Sequence, residues 1–269
     1  MFSLVLLACN NNNVKQDNEL KSFFVENSVD GCFALMDNGT GQFTVYNLGW
    51  YKDSVLQPAS TFKIVNSLIG LQTGKISSDS MVIPWDGVER SITAWNQDLS
   101  MREAFRASSV PYYQEVARRI GKDTMETWLT KLGYGARKVN DTVRITTEID
   151  TFWLDNSLKV SPDQQLGLVK QLYFDQLPFF KVHQETVKAA MKMEDTPEYR
   201  LGYKTGLSGW DSNTQRRIGW IVGWIEENNH PYFFVLNVES KDPNFDLGPV
   251  RLKMLKGILQ KLDFMQGKM

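Results

Sequence analysis

Ser60 and Lys63 stand three residues apart in Ser60-Thr61-Phe62-Lys63, opening a stretch whose other positions, Ile64, Val65, Leu68, Ile69 and Leu71, are apolar. In a helix that spacing puts the hydroxyl and the amine on one face, and apolar residues on every side predict that the helix is buried. Burial penalises the ammonium form. The lysine is therefore expected to be uncharged and able to act as a base toward the serine. Alone the pattern is weak, since about one Ser-x-x-Lys arises by chance in a chain of this composition. A capping serine beside a surface lysine is the competing reading.

Two further motifs raise the signal. Lys204-Thr205-Gly206 falls at the end of a predicted strand, and such a triplet is much rarer than Ser-x-x-Lys. Between the two, after a capped helix, lies Ser108-Ser109-Val110. Trp153, directly after Phe152, offers an indole N–H that could serve a buried acceptor, although a tryptophan is more often core. Other chemistries lack their residues. His183 and His230 are the histidines present, His230 in a turn before Pro231, which leaves no plausible Ser-His-Asp triad and no catalytic zinc set. No Gly-x-Ser-x-Gly elbow occurs. Gly70-Leu71-Gln72-Thr73-Gly74-Lys75 imitates a phosphate loop but is one residue short and lacks the following Ser or Thr, so it reads as a helix end.

The elements that must position these residues can be read from periodicity and caps. Residues 15–26 suggest a short amphipathic helix, and 31–37 with 42–48 form a hairpin around Asn38-Gly39-Thr40-Gly41. Residues 60–199 carry mostly helical signals. Ser100-Met101-Arg102-Glu103 and Ser161-Pro162-Asp163-Gln164 fit capping boxes, and helices are expected near 111–120, 124–132 and 185–193. Three strands follow, at 199–203, 217–226 and 232–238, with Asn228-Asn229-His230-Pro231 turning between the last two, and a helix over 248–262 closes the chain. The fold class is α+β: a central antiparallel sheet flanked by N- and C-terminal helices, with a mostly helical insert. One domain is expected over 15–269, its sheet region at about 15–58 and 199–269 and its helical region at about 59–198.

Composition narrows the partners. With 30 basic and 31 acidic residues among 269, and a net charge of -1, no global field favours nucleic acid or an anionic membrane. The 42% hydrophobic and 12% aromatic content, with eight Trp, predicts a substantial core. Cys9 and Cys32 can build neither a disulfide framework nor a zinc site. Residues 1–8 are apolar, shorter than the ~20 residues that span a bilayer, and lack a basic leader. Leu6-Leu7-Ala8-Cys9 resembles a bacterial lipoprotein processing box, with Asn10 to Asn13 as tether; the alternative is a buried cysteine in a short apolar segment.

Taken together, Pro58-Ala59-Ser60-Thr61-Phe62-Lys63, Ser108-Ser109-Val110, Phe152-Trp153-Leu154 and Lys204-Thr205-Gly206 resemble the class D β-lactamases in identity and order, from about Gly31 to the C-terminal helix. The family's Ser-x-Val replaces the Ser-Asp-Asn of other serine β-lactamases. One motif departs: the family's Tyr-Gly-Asn is here Tyr134-Gly135-Ala136, which puts a loop contact in question. The resemblance implies a β-lactamase/transpeptidase-like fold and hydrolysis of β-lactams through a Ser60 acyl-enzyme. It implies that Lys63 carries a carboxyl group from carbon dioxide, as N6-carboxylysine, with no metal and no other cofactor. Trp153 would hold that group, Val110 would keep its pocket dry, and Ser108 would protonate the leaving nitrogen. The N–H groups of Ser60 and Leu207 would form the oxyanion hole, while Lys204, Thr205, Gly206 and Arg251 would bind substrate, Arg251 through a forked pair of hydrogen bonds unless it is simply solvated. The protein would be exported to the periplasm, anchored through Cys9 if that residue is lipidated. Penicillin-sensing receptor domains and cell-wall transpeptidases or carboxypeptidases share the first and last motifs and are the rivals. Val110 with Trp153, the absence of preceding transmembrane helices and the chain length favour the hydrolase.

Overall fold

A computed structural model describes residues 13–136, 138 and 140–266. In chain order its strands are β1 (Val14–Gln16), β2 (Asp30–Asp37), β3 (Phe43–Tyr46), β4 (Val82–Ile83), β5 (Leu99–Ser100), β6 (Lys192–Asp195), β7 (Arg200–Leu207), β8 (Arg217–Glu227) and β9 (His230–Ser240). The helices are α1 (Lys21–Glu26), α2 (Leu48–Asp53), α3 (Lys63–Gln72), α4 (Met101–Arg106), α5 (Val110–Ile120), α6 (Lys122–Leu132), α7 (Pro162–Tyr173), α8 (Lys181–Met191) and α9 (Leu247–Lys261).

Period-two alternation in the strands builds a sheet with two buried faces. On β2, Cys32, Ala34 and Met36 point to the helical layer, while Phe33 and Leu35 point to α1 and α9. On β9, Phe233 and Val235 take the first face, and Phe234, Leu236 and Val238 the second. The main sheet runs β1-β3-β2-β9-β8-β7-β6. Its pairs are antiparallel except at one edge, where β1 lies parallel to β3. That edge corrects the all-antiparallel expectation and the helix predicted from residue 15. Val14–Gln16 pairs along Phe43–Val45 before the helix begins at Lys21, because Phe43 N–H finds Asn13 C=O and Asp17 N–H finds Val45 C=O.

The helical layer lies over β2, β9 and β8. Its central element, α3, is buried on every side from Lys63 to Leu71. Both predicted capping boxes form, Ser100 with Glu103 and Ser161 with Gln164, and Pro162 occupies the first turn of α7. The loop-like Gly70 to Lys75 stretch is the end of α3: Lys75 and Ile76 N–H both return to Gly70 C=O, and Gly74 takes a positive φ of 69°. The helical region also holds strands that were not expected. β4 pairs with β5, and Lys192–Asp195 leaves α8 early to become the edge strand β6. The helix expected over 185–193 therefore spans Lys181–Met191 instead. Cys32 is buried, and burial pushes its thiol up. Cys9 and tether residues 10–12 lie outside the described residues, whereas Asn13 already pairs with the sheet edge.

Candidate active site

Ser60 sits in a 3-10 turn, Ala59–Phe62, and Lys63 is the first residue of α3. In a 3-10 turn residues i and i+3 eclipse, so the motif brings the two side chains closer than an α-helix would. Ser60 Oγ and Lys63 Nζ are 2.6 Å apart in a hydrogen bond. The elbow before Ser60 is held from several sides. Ala59 takes a positive φ of 48°, a costly conformation for a residue with a Cβ. Thr61 returns both its N–H and its hydroxyl to Pro58 C=O, Gln165 Nε2 donates to Thr61 Oγ1 at 2.6 Å, and Trp220 Nε1 donates to Gln57 C=O at 2.9 Å. Gln165 and Trp220 carried no motif in the sequence, and Thr61 drew attention only as a place-holder between Ser60 and Lys63. Their role follows from contacts between segments far apart in the chain.

Lys63 is wholly buried, and desolvation holds its amine far below the ordinary lysine value, with a smaller contribution from the charge of Lys204. The direction of that shift is the one expected for a buried amine beside Ser60. Trp153 packs into the same region: it is fully buried, stacks on Phe62 with ring centroids 5.2 Å apart, and meets Phe152 edge-on. Its Nε1–H is buried and finds no hydrogen-bond partner among the described residues. An unsatisfied buried indole donor costs roughly 1–3 kcal/mol, a cost that an acceptor reaching it would remove.

Ser108 lies at the junction of α4 and α5 with a positive φ of 54°. Lys204 crosses from the sheet to meet it, donating from Nζ to Ser108 Oγ at 2.8 Å and to Thr205 C=O at 3.0 Å. Burial, then the nearby Arg251, lowers the Lys204 amine to about 7. Val110 opens α5, half-buried, two residues beyond Ser108. Two hydroxyl–amine pairs, Ser60 with Lys63 and Ser108 with Lys204, are thereby presented from three elements.

The strand carrying Lys204 does not end there. β7 continues through Leu207, so Lys204-Thr205-Gly206 lies within a strand, not at a strand-to-turn junction. Gly206 is demanded by close approach, since a Cβ there would sit 2.9 Å from Pro58 O and 3.3 Å from Thr61 N. Ser208 N–H donates to Ile218 C=O, so the next pair inward, Leu207 with Gly219, is the non-bonded kind and its N–H points away from β8. β6 pairs only with 200–202, which leaves the edge at Leu207 free for the Ala59–Phe62 turn. The turn that carries Ser60 therefore packs against β7, whose edge is free of β6 at Leu207. We expect Gly206→Ala to force this turn off the strand, lowering turnover at least tenfold while circular dichroism stays that of a folded protein; unchanged turnover would mean the approach is not needed.

Arg251, from α9, is 8% exposed and donates from Nη1 to Gly206 C=O at 2.7 Å, leaving its Nε buried without a partner. Burial lowers it to about 10. It braces the strand behind Gly206 with one of its five N–H donors, which leaves the others for a second acceptor. The altered motif at Tyr134-Gly135-Ala136 is held by the backbone: Gln164 Nε2 donates to Ala136 C=O at 2.8 Å, which needs no side-chain amide. Ser60 itself is only 8% exposed. Two pockets lie nearby in the chain without Ser60 in their linings: a groove of about 290 Å³ that includes Gln57, 154–156 and 209–214, and a cleft of about 220 Å³ lined by Trp85, Trp95 and Tyr112 beside Ser109. Among the described residues no cluster of His, Cys, Asp and Glu could hold a metal ion, and no helix is long and apolar enough to cross a membrane.

The chain matches the family model described as penicillin binding protein transpeptidase domain over residues 9–260. It is 36% identical to the β-lactamase OXA-5 of Pseudomonas aeruginosa, covering 88% of this chain and 87% of that protein. A class D β-lactamase structure from Sebaldella termitidis superposes with a TM-score of 0.85 at 31% identity, over 94% of this chain and 98% of the other. The C-terminal domain of the Bacillus licheniformis BlaR penicillin receptor gives 0.83 at 28% identity, over 93% and 96%. With 36% identity to one class D enzyme and 31% to another set against 28% to the receptor domain, and with all four motifs in order, the chain belongs to the class D β-lactamases of the penicillin-binding transpeptidase-domain family.

Proposed function

We propose that the protein hydrolyses the β-lactam ring of penicillin-type antibiotics through an acyl group carried on Ser60. The observation that carries this is the buried Lys63 amine, 2.6 Å from Ser60 Oγ and with its pKa lowered by desolvation, together with the partnerless indole N–H of Trp153, whose ring stacks on the adjacent Phe62. An anion created on Lys63 would have a donor waiting, and the neutral amine is the form whose nitrogen lone pair can add to the carbon of carbon dioxide, an N–H proton then passing to solvent. Carboxylated on Nζ, Lys63 supplies a general base for acylation and deacylation, with Trp153 Nε1 as the group that holds it.

The remaining steps use side chains and N–H groups already in place. Ser60 Oγ bonds to the lactam carbonyl carbon as its proton leaves toward Lys63, and the N–H groups of Ser60 and Leu207 receive the charge that develops on the carbonyl oxygen. The C–N bond then breaks, and Ser108, bonded to Lys204, gives its proton to the leaving nitrogen and is resupplied with the one taken up at Lys63, which leaves Lys63 free to take a proton from water. Water attacks the ester from the Lys63 side, Ser60 recovers its proton, and the opened acid departs. Lys204, Thr205 and Gly206 line the site as substrate-binding residues, Val110 bounds it, and Arg251 attracts the substrate carboxylate. Export to the periplasm, with a lipid on Cys9, suits an enzyme that meets antibiotics at the cell envelope; the mass of the mature N-terminus checks the lipid.

A chromogenic cephalosporin assay with and without added bicarbonate tests the whole reading. Multiple turnovers are expected, faster with bicarbonate and slower at acidic pH, where the added carboxyl group is lost as carbon dioxide. The similarity to the penicillin receptor domain supplies the rival. A single stoichiometric burst leaving a stable acyl-protein would replace hydrolysis with sensing.

A further inference from the structure

Below the reactive end, α3 and α5 are joined by polar side chains in surroundings that are otherwise apolar. Lys63, Asn66 and Ser67 stand at positions i, i+3 and i+4 of α3, one face of the helix, and all three are fully buried. Tyr113 of α5, also fully buried, meets them. Its hydroxyl and Ser67 Oγ are 2.7 Å apart, Asn66 Nδ2 donates to its backbone C=O at 3.0 Å, and Lys63 Nζ lies 5.6 Å from the centre of its ring. Asn66 Oδ1 is left buried without a partner.

Alanine and phenylalanine would fill the Ser67 and Tyr113 positions without any polar group to desolvate. A buried hydroxyl pair nets only about 1 kcal/mol, and buried polar clusters in apolar packing call for a reason. The geometry gives one. With its hydroxyl taken by Ser67 and its backbone by Asn66, the Tyr113 ring cannot rotate toward solvent or turn its oxygen onto Lys63. It stands as a wall beside the amine. Because Tyr113 lies on the same helix as Val110 and close after Ser108, the clasp also fixes how far the Ser108 end of α5 stands from the Ser60 end of α3.

We propose that Tyr113, clamped by Ser67 and Asn66, is a positioning residue for Lys63: it holds the amine in line with Ser60 and closes one side of its pocket to water. This rests on the role given to Lys63 above. The prediction separates from simple packing because the clasp acts through Lys63 rather than through substrate binding.

The test compares Tyr113→Phe, Ser67→Ala and the double variant in steady-state hydrolysis of a chromogenic cephalosporin over a bicarbonate series, with thermal melts alongside. Tyr113→Phe keeps the ring and loses only the hydroxyl, so the fold is expected to survive. Each single variant should lower kcat roughly tenfold, the effect of ~1.4 kcal/mol on a barrier, with KM unchanged. The bicarbonate needed for half-maximal rate should rise, and the double variant should be no worse than either single, the mark of one shared interaction. Wild-type kcat and wild-type bicarbonate response in both variants would overturn the proposal, whatever happens to the melting temperature. If the unaltered protein itself ignores bicarbonate, the carboxylation of Lys63 is what fails. The positioning role is then decided by the rate of Ser60 acylation, which falls in Tyr113→Phe if the role is real and is unchanged if it is not.

Discussion

Lys63→Ala is expected to abolish turnover by about three orders of magnitude and to leave a β-lactam bound covalently to Ser60. The reason is that, among the described residues, no other group near Ser60 is placed to take its proton. Lys63 Nζ is the group within hydrogen-bond reach of the hydroxyl, and the other amine of the site, Lys204, is engaged with Ser108 and Thr205. A positioned general base contributes about 10²–10⁴ in rate, and here the same group serves both halves of the reaction. Acylation has help from β-lactam ring strain, which is gone once the ring has opened, so deacylation should suffer at least as much. Intact-protein mass spectrometry after mixing with a penicillin should therefore show the added mass of the acyl group persisting in Lys63→Ala and vanishing in the unaltered enzyme. Turnover that survives the substitution would remove Lys63 from the mechanism.

The reacting residues were legible because chemistry fixes both their type and their spacing. Ser60, Lys63, Ser108 and Lys204 converge as their motifs implied, and the local signals at Ser100 and Ser161 produced the caps expected. What escaped was non-local. β1 and β6 are strands of three and four residues, too short to display a period, and each exists through pairing with another strand. Gly206 reads locally as the residue that ends a strand, whereas the fold needs it for the approach of Pro58 and Thr61 from another element. Gln165 steadies the Ser60 elbow across 104 positions of sequence, and Ser67 reaches Tyr113 across 46. No motif announces such pairs. The partnerless Trp153 N–H is a different case: the sequence supplied the residue, and only the structure shows the donor left unsatisfied.

Lys204→Met should make the protein more stable at neutral pH while removing most of its activity. Lys204 is 1% exposed, and burial together with Arg251 moves its amine from the ordinary 10.5 to about 7. Between those values the unfolded chain binds a proton that the folded protein does not, so stability rises with pH across this window and is lowest at its acid end. Each pH unit of such displacement corresponds to ~1.4 kcal/mol, which makes the buried amine a burden of a few kcal/mol near pH 7. Methionine keeps much of the side-chain volume without the charge, and Ser108, only half-buried, can turn to water. Denaturant unfolding at pH 7 and pH 9 should show the variant ahead by ~2 kcal/mol or more at the lower pH, with the gap narrowing at the higher. Lys63, buried with its pKa displaced in the same direction, keeps some of the slope in the variant. A Lys204→Met variant less stable than its parent at pH 7 would mean that the hydrogen bonds to Ser108 and Thr205 outweigh the desolvation of the amine. The expected result is the opposite, because the site keeps two amines in a dry pocket for their chemistry, at the expense of the fold that holds them.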